Sequence, residues 1–523
     1  MSRDRILAGS ILVAVAILFA WSSIARKPTP NPALPEGCDD FGYLNMAQAL
    51  DEGVWLSDHA RRPFHNDLVE HLEAQGAKLP EYAWMVAPHA YHVDSKTGRV
   101  INQYPPATSL SLTLLPLEVR SVLAPGLFAL LCMLPLALGF QIVGPRPPLV
   151  AAAWAIATTA AVLWLDPPAR LAGGMGSYGP TLGLLVTAGW LIRSHPVAAL
   201  ALVSATIPFR LGNGLLLAAL FLVVLTHAPW PTGWRGFALR VLRGGLAALF
   251  GGLVVYLLYA TVLLGAPWAF TYSPIDREWA DLSTAWSNLA SYLDPTKPWL
   301  RFHVGGLVIL AGQAWREKSA RWFLAGLFLA VTNYLFFVLH NVRIDAYPYA
   351  SGMLILGLAL RGLAEARFPG PKAITGVAAA AVGWAAMNLG TIDLDHARVT
   401  FESERNLYRE AFSDFDVVWG EHRTGTVEYA TRGAAFRYNW GPAEVRSDTM
   451  QWLQARGLRQ AVWAGDIGMP TNVAGELESA GVSFRANKHP ILGEILIVPP
   501  PSSRIFSDAR PSTVRSGTQP VEP

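Results

Sequence analysis

Cysteine is nearly missing from this chain. Two occur in 523 residues, Cys38 beside a pair of acids and Cys132 inside an apolar run. That excludes a disulfide framework and argues against a metal-thiolate site. Charge is scarce too, since only 15% of residues are Asp, Glu, Lys or Arg, against roughly 25% in a soluble domain. A formal net charge of +3 gives no reason to expect a nucleic-acid partner. No internal repeat is visible. The glycine-rich stretch Gly173 to Gly179, GGMGSYG, lacks the Lys-Ser/Thr ending of a nucleotide phosphate loop, and reads instead as a flexible loop.

What the chain has is apolar length. Hydrophobic residues make up 52%, and several runs reach or approach the roughly 17 to 25 residues that a bilayer core demands. The expected spans are 6–25, 121–141, 148–165, 180–192, 196–208, 212–228, 239–265, 303–315, 322–340, 346–362 and 373–391, about eleven helices, of which the four shortest suit re-entrant or tilted segments. The run Ile6 to Ile24 follows MSRDR. It is long for a signal peptide and has no clear small-x-small cleavage site before Arg26 and Lys27, so it reads as the first membrane helix.

Loop charge gives an orientation, because short loops rich in Lys and Arg stay in the cytoplasm. With the N-terminus inside, cytoplasmic loops hold Arg146, Arg193, Arg235, Arg240, Arg243, Arg316, Lys318, Arg321, Arg361, Arg367 and Lys372, while the opposite short loops hold only Arg170, Arg210 and Arg343. The outer pieces are then 26–120, expected to be a small helical subdomain, the Trp- and Pro-rich 266–302, and everything after 392. This predicts an all-α polytopic membrane bundle over 1–392 and a small extracytoplasmic α/β domain over 393–498. Within that domain Asp448 to Leu458 and Asn472 to Gly481 suit helices, and Gln460 to Ala464 and Ile491 to Val498 suit strands. The Pro- and Ser-rich tail 499–523 is expected to be disordered.

Polar residues at the outer surface carry what chemistry the sequence offers. Gly37 to Leu50 reads GCDDFGYLNMAQAL. Asp39 or Asp40 can cap the helix that follows, which accounts for one acid and not both. Tyr43, Ala47 and Leu50 recur at helical spacing from Asp39 and would share its face. At the far end of the same loop, Tyr104-Pro105-Pro106 fixes an extended turn lacking backbone donors at the prolines; it suits either the wall of a lipid-facing groove or a rigid lead-in to the next helix. Arg170, Arg210, Arg301 and Arg343 are cations at the same membrane surface, where each can snorkel to headgroups or hold an anion. His340 and Arg343 lie three residues apart, and Asp166 is a further acid. His59, His65, His71, His89 and His92 lie in the first outer loop, and the pair His89-x-x-His92 followed by Asp94 would suit a metal if one helical turn joined the two rings.

The acid pair, the Tyr four residues after its first member, the Ala four further on and the later Y-P-P-x-x-x-L run together resemble the first outer loop of the GT-C superfamily of polyprenyl-phosphate-sugar-dependent glycosyltransferases. Protein mannosyltransferases and lipid A aminoarabinose transferases belong to it. The resemblance implies a GT-C-like fold and direct, inverting transfer of a sugar from a polyprenyl-phosphate donor to a glycan, lipid or protein acceptor outside the cytoplasmic (inner) membrane of a bacterium, with a possible divalent metal ion as cofactor. By this resemblance Asp39 matches the catalytic acid and Asp40 the second acidic position. Asp166 looks like an assisting acid, and Tyr43, Tyr104, Arg170, Arg210, His340 and Arg343 are candidates for holding the donor. Two departures leave the acceptor open: Asp40 stands where these families often have Glu, and Tyr104 where protein mannosyltransferases have His. The other function classes compatible with a many-helix chain are a lipid or sugar transporter and a non-enzymatic envelope assembly or scaffold protein.

Overall fold

The computed structural model describes residues 3–25, 34, 38–53, 62–94, 99–143, 147–164, 178–227, 234–269, 271, 279–340, 348–367 and 369–500. From the N-terminus, α1 (Arg3–Ala25) leads to α2 (Cys38–Asp51), then to the short helices α3 (His65–Ala74) and α4 (Leu79–Tyr82), the strands β1 (Tyr91–Val93) and β2 (Val100–Asn102), and α5 (Ala107–Leu112). The apolar helices follow: α6 (Arg120–Val143), α7 (Pro148–Trp164), α8 (Tyr178–Leu191), α9 (Pro196–Ala205), α10 (Gly214–His227) and α11 (Trp234–Ala248), the last joined through a π-helical turn to α12 (Val254–Leu264). After α13 (Leu282–Tyr292), the bundle is completed by α14 (Pro298–Glu317), α15 (Arg321–Val338), α16 (Tyr349–Glu365) and α17 (Pro371–Met387). The C-terminal domain comprises α18 (Leu394–Phe412), β3 (Val417–Gly420), α19 (Thr424–Thr431), β4 (Ala434–Arg437), α20 (Ala443–Ala455), β5 (Gln460–Trp463), α21 (Val473–Ser479), β6 (Arg485–His489) and β7 (Gly493–Val498).

Local chemistry explains where the bundle helices start and stop. Proline stands in the first turn of α9, α14 and α17, where its missing N–H removes nothing and its fixed φ favours the helix. Gly265 ends α12 with φ 73° in the left-handed region, which costs glycine nothing. Among the described residues four helical stretches, Arg3–Ala25, Leu117–Val143, Trp234–Leu264 and Arg321–Val338, are long and apolar enough to cross a membrane. The shorter apolar helices pack between them. At the centre α8 and α16 touch backbone to backbone. A methyl added to Gly189 would come 2.0 Å from the Leu354 carbonyl oxygen, and one added to Gly357 would come 2.0 Å from that of Val186. With little hydrophobic drive between helices in lipid, close approach through small residues is what holds such a pair.

Contacts at the helix ends fix their direction. Trp21 Nε1 near the end of α1 donates to the Gly390 carbonyl after α17. Arg120, opening α6, pairs with Asp51 of α2 at 2.5 Å, and Arg99 donates to the carbonyls of Val262 and Leu263 near the end of α12. These ends share the side of the C-terminal domain. At the other end of the bundle, Arg361 of α16 donates to the carbonyl of Val143, the last residue of α6, and Arg193 pairs with Glu365 and Glu317. The structure thereby gathers Arg193, Arg316, Arg321 and Arg361 at the end away from the C-terminal domain.

In the C-terminal domain five strands run in the order β4-β3-β5-β7-β6. The β4, β3 and β5 strands are mutually parallel, and β7 and β6 are antiparallel. The two expected strands coincide with β5 and β7; β3, β4 and β6 were not anticipated. The first outer loop is not wholly helical either, because β1 and β2 pair in an antiparallel hairpin with Tyr91 opposite Asn102. Two hydrophobic cores result, one in the bundle and one uniting the C-terminal domain with the first outer loop. Helix α2 serves both: Met46 belongs to the bundle core, and Phe41, Tyr43, Leu44 and Ala47 to the outer one.

Candidate functional site

The helix carrying the acid pair differs from its sequence expectation in two respects. It begins at Cys38, so the backbones of Asp39 and Asp40 lie inside the first turn rather than ahead of it. Unpaired N–H groups and the positive end of the helix dipole favour carboxylates there as well. Nor is α2 amphipathic, since every residue from Phe41 to Ala49 is buried. The bundle, the first outer loop and the C-terminal domain each cover one side of it.

Several candidate residues are brought to this helix. The Tyr43 and Tyr104 rings lie 4.7 Å apart between centroids, and Gly42 sits so close to the Tyr104 ring that an added methyl would come within 2.5 Å of it. Asn102 holds the approach in register: its Nδ2 donates to the Gly42 carbonyl at 2.7 Å while its Oδ1 accepts from the Tyr104 N–H at 2.9 Å. Pro106 has helical dihedrals and directly precedes α5, so the proline pair is a lead-in to a helix. The Ala107 N–H donates to the Pro208 carbonyl at 2.9 Å, which seats α5 on the turn that presents Arg210. Two residues on, Gly212 faces the Phe337 ring, one turn before His340. Tyr43, Tyr104, Arg210 and His340 thus follow one another along the outer rim of the bundle, with Asp40, partly exposed, at the start of α2. His340 braces the neighbouring α13 as well: its carbonyl accepts from Asn288 at 2.9 Å and its backbone bridges to Trp279. The Asp39 side chain, Asp166, Arg170, Arg343 and the greater part of the Gly173 to Gly179 stretch lie outside the described residues.

The histidines of the first outer loop have separate surroundings. His65 contacts the Val86 carbonyl at 2.9 Å, and His71 pairs with Asp448 at 2.8 Å. His92 packs against Trp84, while the His89 ring lies 6.0 Å from that of His422. Burial first, and then the charge of Arg437, push His89 down to about 3, which keeps it neutral. His89 is in a turn and His92 in β1, so no helical turn joins them. Among the described residues no cluster of three His, Cys, Asp or Glu side chains is placed to hold a metal ion.

Two buried charges at the domain junction gave no sequence signal. Arg437, 1% exposed, donates from Nε to the Trp84 carbonyl and from Nη2 to the Tyr91 carbonyl, and lies between the rings of Trp84 and Trp440. Glu428 of α19, also 1% exposed, stands 3.5 Å from Arg62, near Arg432, which itself reaches Asn45 and Glu52 of α2. Burial raises Glu428 to about 7, with Arg62 and Arg432 pulling against it. A carboxyl raised above its unfolded value gives stability that is fully present below about 4.5 and is lost as pH rises through about 7, a difference of about 3 kcal/mol at full ionisation. Glu428→Gln keeps the neutral shape and removes that loss. Thermal unfolding of the purified variant should therefore decline less between pH 5 and pH 8 than that of the wild type; parallel profiles would show that Glu428 does not titrate in this range.

Comparison with solved structures gives the fold a precedent. The crystal structure of ArnT from Cupriavidus metallidurans in the apo state matches over 93% of this chain and 97% of its own, with a TM-score of 0.52 and 13% sequence identity. The oligosaccharyltransferase of Archaeoglobus fulgidus in its apo form matches over 88% of this chain and 69% of its own, with a TM-score of 0.40 and 12% identity. No protein-family model and no curated protein sequence matches the chain. The chain therefore shares its fold with ArnT.

Proposed function

We propose that the protein is a membrane glycosyltransferase of GT-C type, moving a sugar from a polyprenyl-phosphate donor to a glycan, lipid or protein acceptor at the outer face of a bacterial inner membrane. The observation that carries this reading is the position of α2. Its acid-bearing first turn lies at the seam between the bundle and the C-terminal domain, near the paired rings of Tyr43 and Tyr104, in a chain whose fold matches that of ArnT over 93% of its length. On this reading the apolar helices make eleven passages, the N-terminus is cytoplasmic and the C-terminal domain is extracytoplasmic.

The chemistry follows from the donor. A sugar phosphate ester carries a good leaving group, so the departing oxygen needs charge stabilisation more than it needs a proton. The acceptor hydroxyl or amine needs a base. Asp39 takes the acceptor proton as the acceptor heteroatom bonds to the anomeric carbon; the bond from that carbon to the phosphate oxygen breaks, and its electron pair leaves with the lipid phosphate. Arg343, with Arg170 or Arg210, receives the growing negative charge, Asp40 and Asp166 position the acceptor, and Tyr43, Tyr104 and His340 border the donor. Purified protein in mixed vesicles with a radiolabelled polyprenyl-phosphate sugar and an envelope extract should move label from the donor lipid to an acceptor. Label that crosses the membrane while still attached to its lipid would overturn the enzymatic reading in favour of transport.

A further inference from the structure

A second site lies at the opposite end of the bundle. There a cavity of about 520 Å³ opens between the ends of α8 and α16 and the starts of α9 and α15, with α10 and α11 closing its sides. Arg193, Arg240, Arg321, Trp322 and Glu365 supply its polar lining, and Val223 and Val224 its apolar wall. Three guanidinium groups thus face one carboxylate. That carboxylate is engaged twice, by Arg193 at 3.1 Å and by Arg361 at 2.7 Å, so the lining keeps an excess of positive charge.

Arg193 shows that this is a constructed site rather than a group of snorkelling side chains. Its side chain is only 8% exposed. Its Nη2 donates to Gln313 at 2.8 Å, its Nη1 faces Glu317 and Glu365, and its guanidinium packs against the Trp322 ring at 5.3 Å. Its Nε is buried and has no hydrogen-bond partner. A buried guanidinium N–H without an acceptor is unfavourable. Arg321, whose guanidinium lies 4.9 Å from the same Trp322 ring, and Arg240 from α11 line the cavity with it, a donor set suited to phosphate oxygens.

We infer that this cavity binds the phosphate headgroup of an anionic phospholipid, at the membrane surface facing away from the C-terminal domain. The apolar wall selects a lipid over free phosphate. Val223 and Val224 lie near the end of α10, where an acyl chain would leave the headgroup and descend along the bundle, and Trp322 has the amphipathic ring favoured at that depth. Basic recesses between membrane helices on the basic side of a bundle suit acidic headgroups. The site is remote from Tyr43 and Tyr104, so the inference stands whether or not the protein transfers sugars.

The test uses full-length protein in nanodiscs of phosphatidylcholine alone or with one fifth phosphatidylglycerol. In wild type the acidic lipid should raise the melting temperature, and native mass spectrometry should show it retained. Arg240→Gln with Arg321→Gln, both on partly exposed residues, should abolish the shift and weaken retention roughly thirtyfold, given about 1 kcal/mol for each of the two basic contacts at such a surface. The double variant should keep the wild-type melting temperature in pure phosphatidylcholine, which separates lost binding from misfolding. Equal responses to acidic lipid in wild type and variant would overturn the site. A full shift with millimolar inorganic phosphate in pure phosphatidylcholine would overturn the lipid as its source.

Discussion

Asp39→Asn should lower the rate of sugar transfer by about 10² to 10⁴, the range over which a positioned general base contributes, with little change in donor KM. Asn preserves the size and backbone of Asp and cannot take up the acceptor proton. An aspartate carboxylate is ordinarily held ionised at neutral pH. A carboxylate so held is a weak base towards a free hydroxyl. It becomes adequate as the hydroxyl acidifies on approach to the anomeric carbon, so the loss belongs in kcat, as for an interaction made only in the transition state. Asp40→Asn, which alters the same turn's charge equally, is the control and should cost less. Transfer by the Asp39 variant at the wild-type rate would remove Asp39 as the base. A matched fall in both variants would point to helix charge rather than proton transfer.

The same helix shows how far the sequence could be read. GCDDFGYLNMAQAL announces a helix with acids at its start, and the Y-P-P run announces a turn; that the two meet through Tyr43 and Tyr104 at 4.7 Å is a tertiary fact that neither stretch contains. The amphipathic expectation for α2 failed because it allows one packed face, whereas Phe41 turns to Tyr91 and Gly425, Tyr43 to Tyr104, and Met46 to the bundle core. In the C-terminal domain, β5 and β7 were read from the sequence as the strands Gln460 to Ala464 and Ile491 to Val498. The four-residue strands β3 and β4, VVWG and AAFR, are too short for periodicity to separate from helix or loop. Helix α18 did leave a signal, since its buried Ala397, Phe401, Tyr408 and Phe412 keep helical spacing. The buried charges left none. Arg437 depends on carbonyls at residues 84 and 91, and nothing near it in sequence marks it as enclosed.

Arg437→Ala should destabilise the junction between the C-terminal domain and the first outer loop by about 3 to 5 kcal/mol, the cost of removing one member of a buried charged set. Two carbonyls, of Trp84 and Tyr91, would lose their donors at 2.9 and 2.8 Å, and a void would open between Trp84 and Trp440. Arg437→Lys should recover only part of this, since an ammonium lacks the planar fork that reaches both carbonyls while stacked between two rings. The loss should appear first as faster proteolysis in the linker between α17 and α18 and as a red shift of tryptophan emission, while the bundle keeps its helical content. Sugar transfer should fall as well, without Arg437 touching any substrate. Through α19 the C-terminal domain presses on α2, where a methyl on Gly425 would come 2.3 Å from the Phe41 ring, so a loosened domain frees the helix that carries the base. Unchanged proteolysis and emission in Arg437→Ala would mean that the junction is held by apolar burial alone, and would detach the outer domain from the catalytic argument.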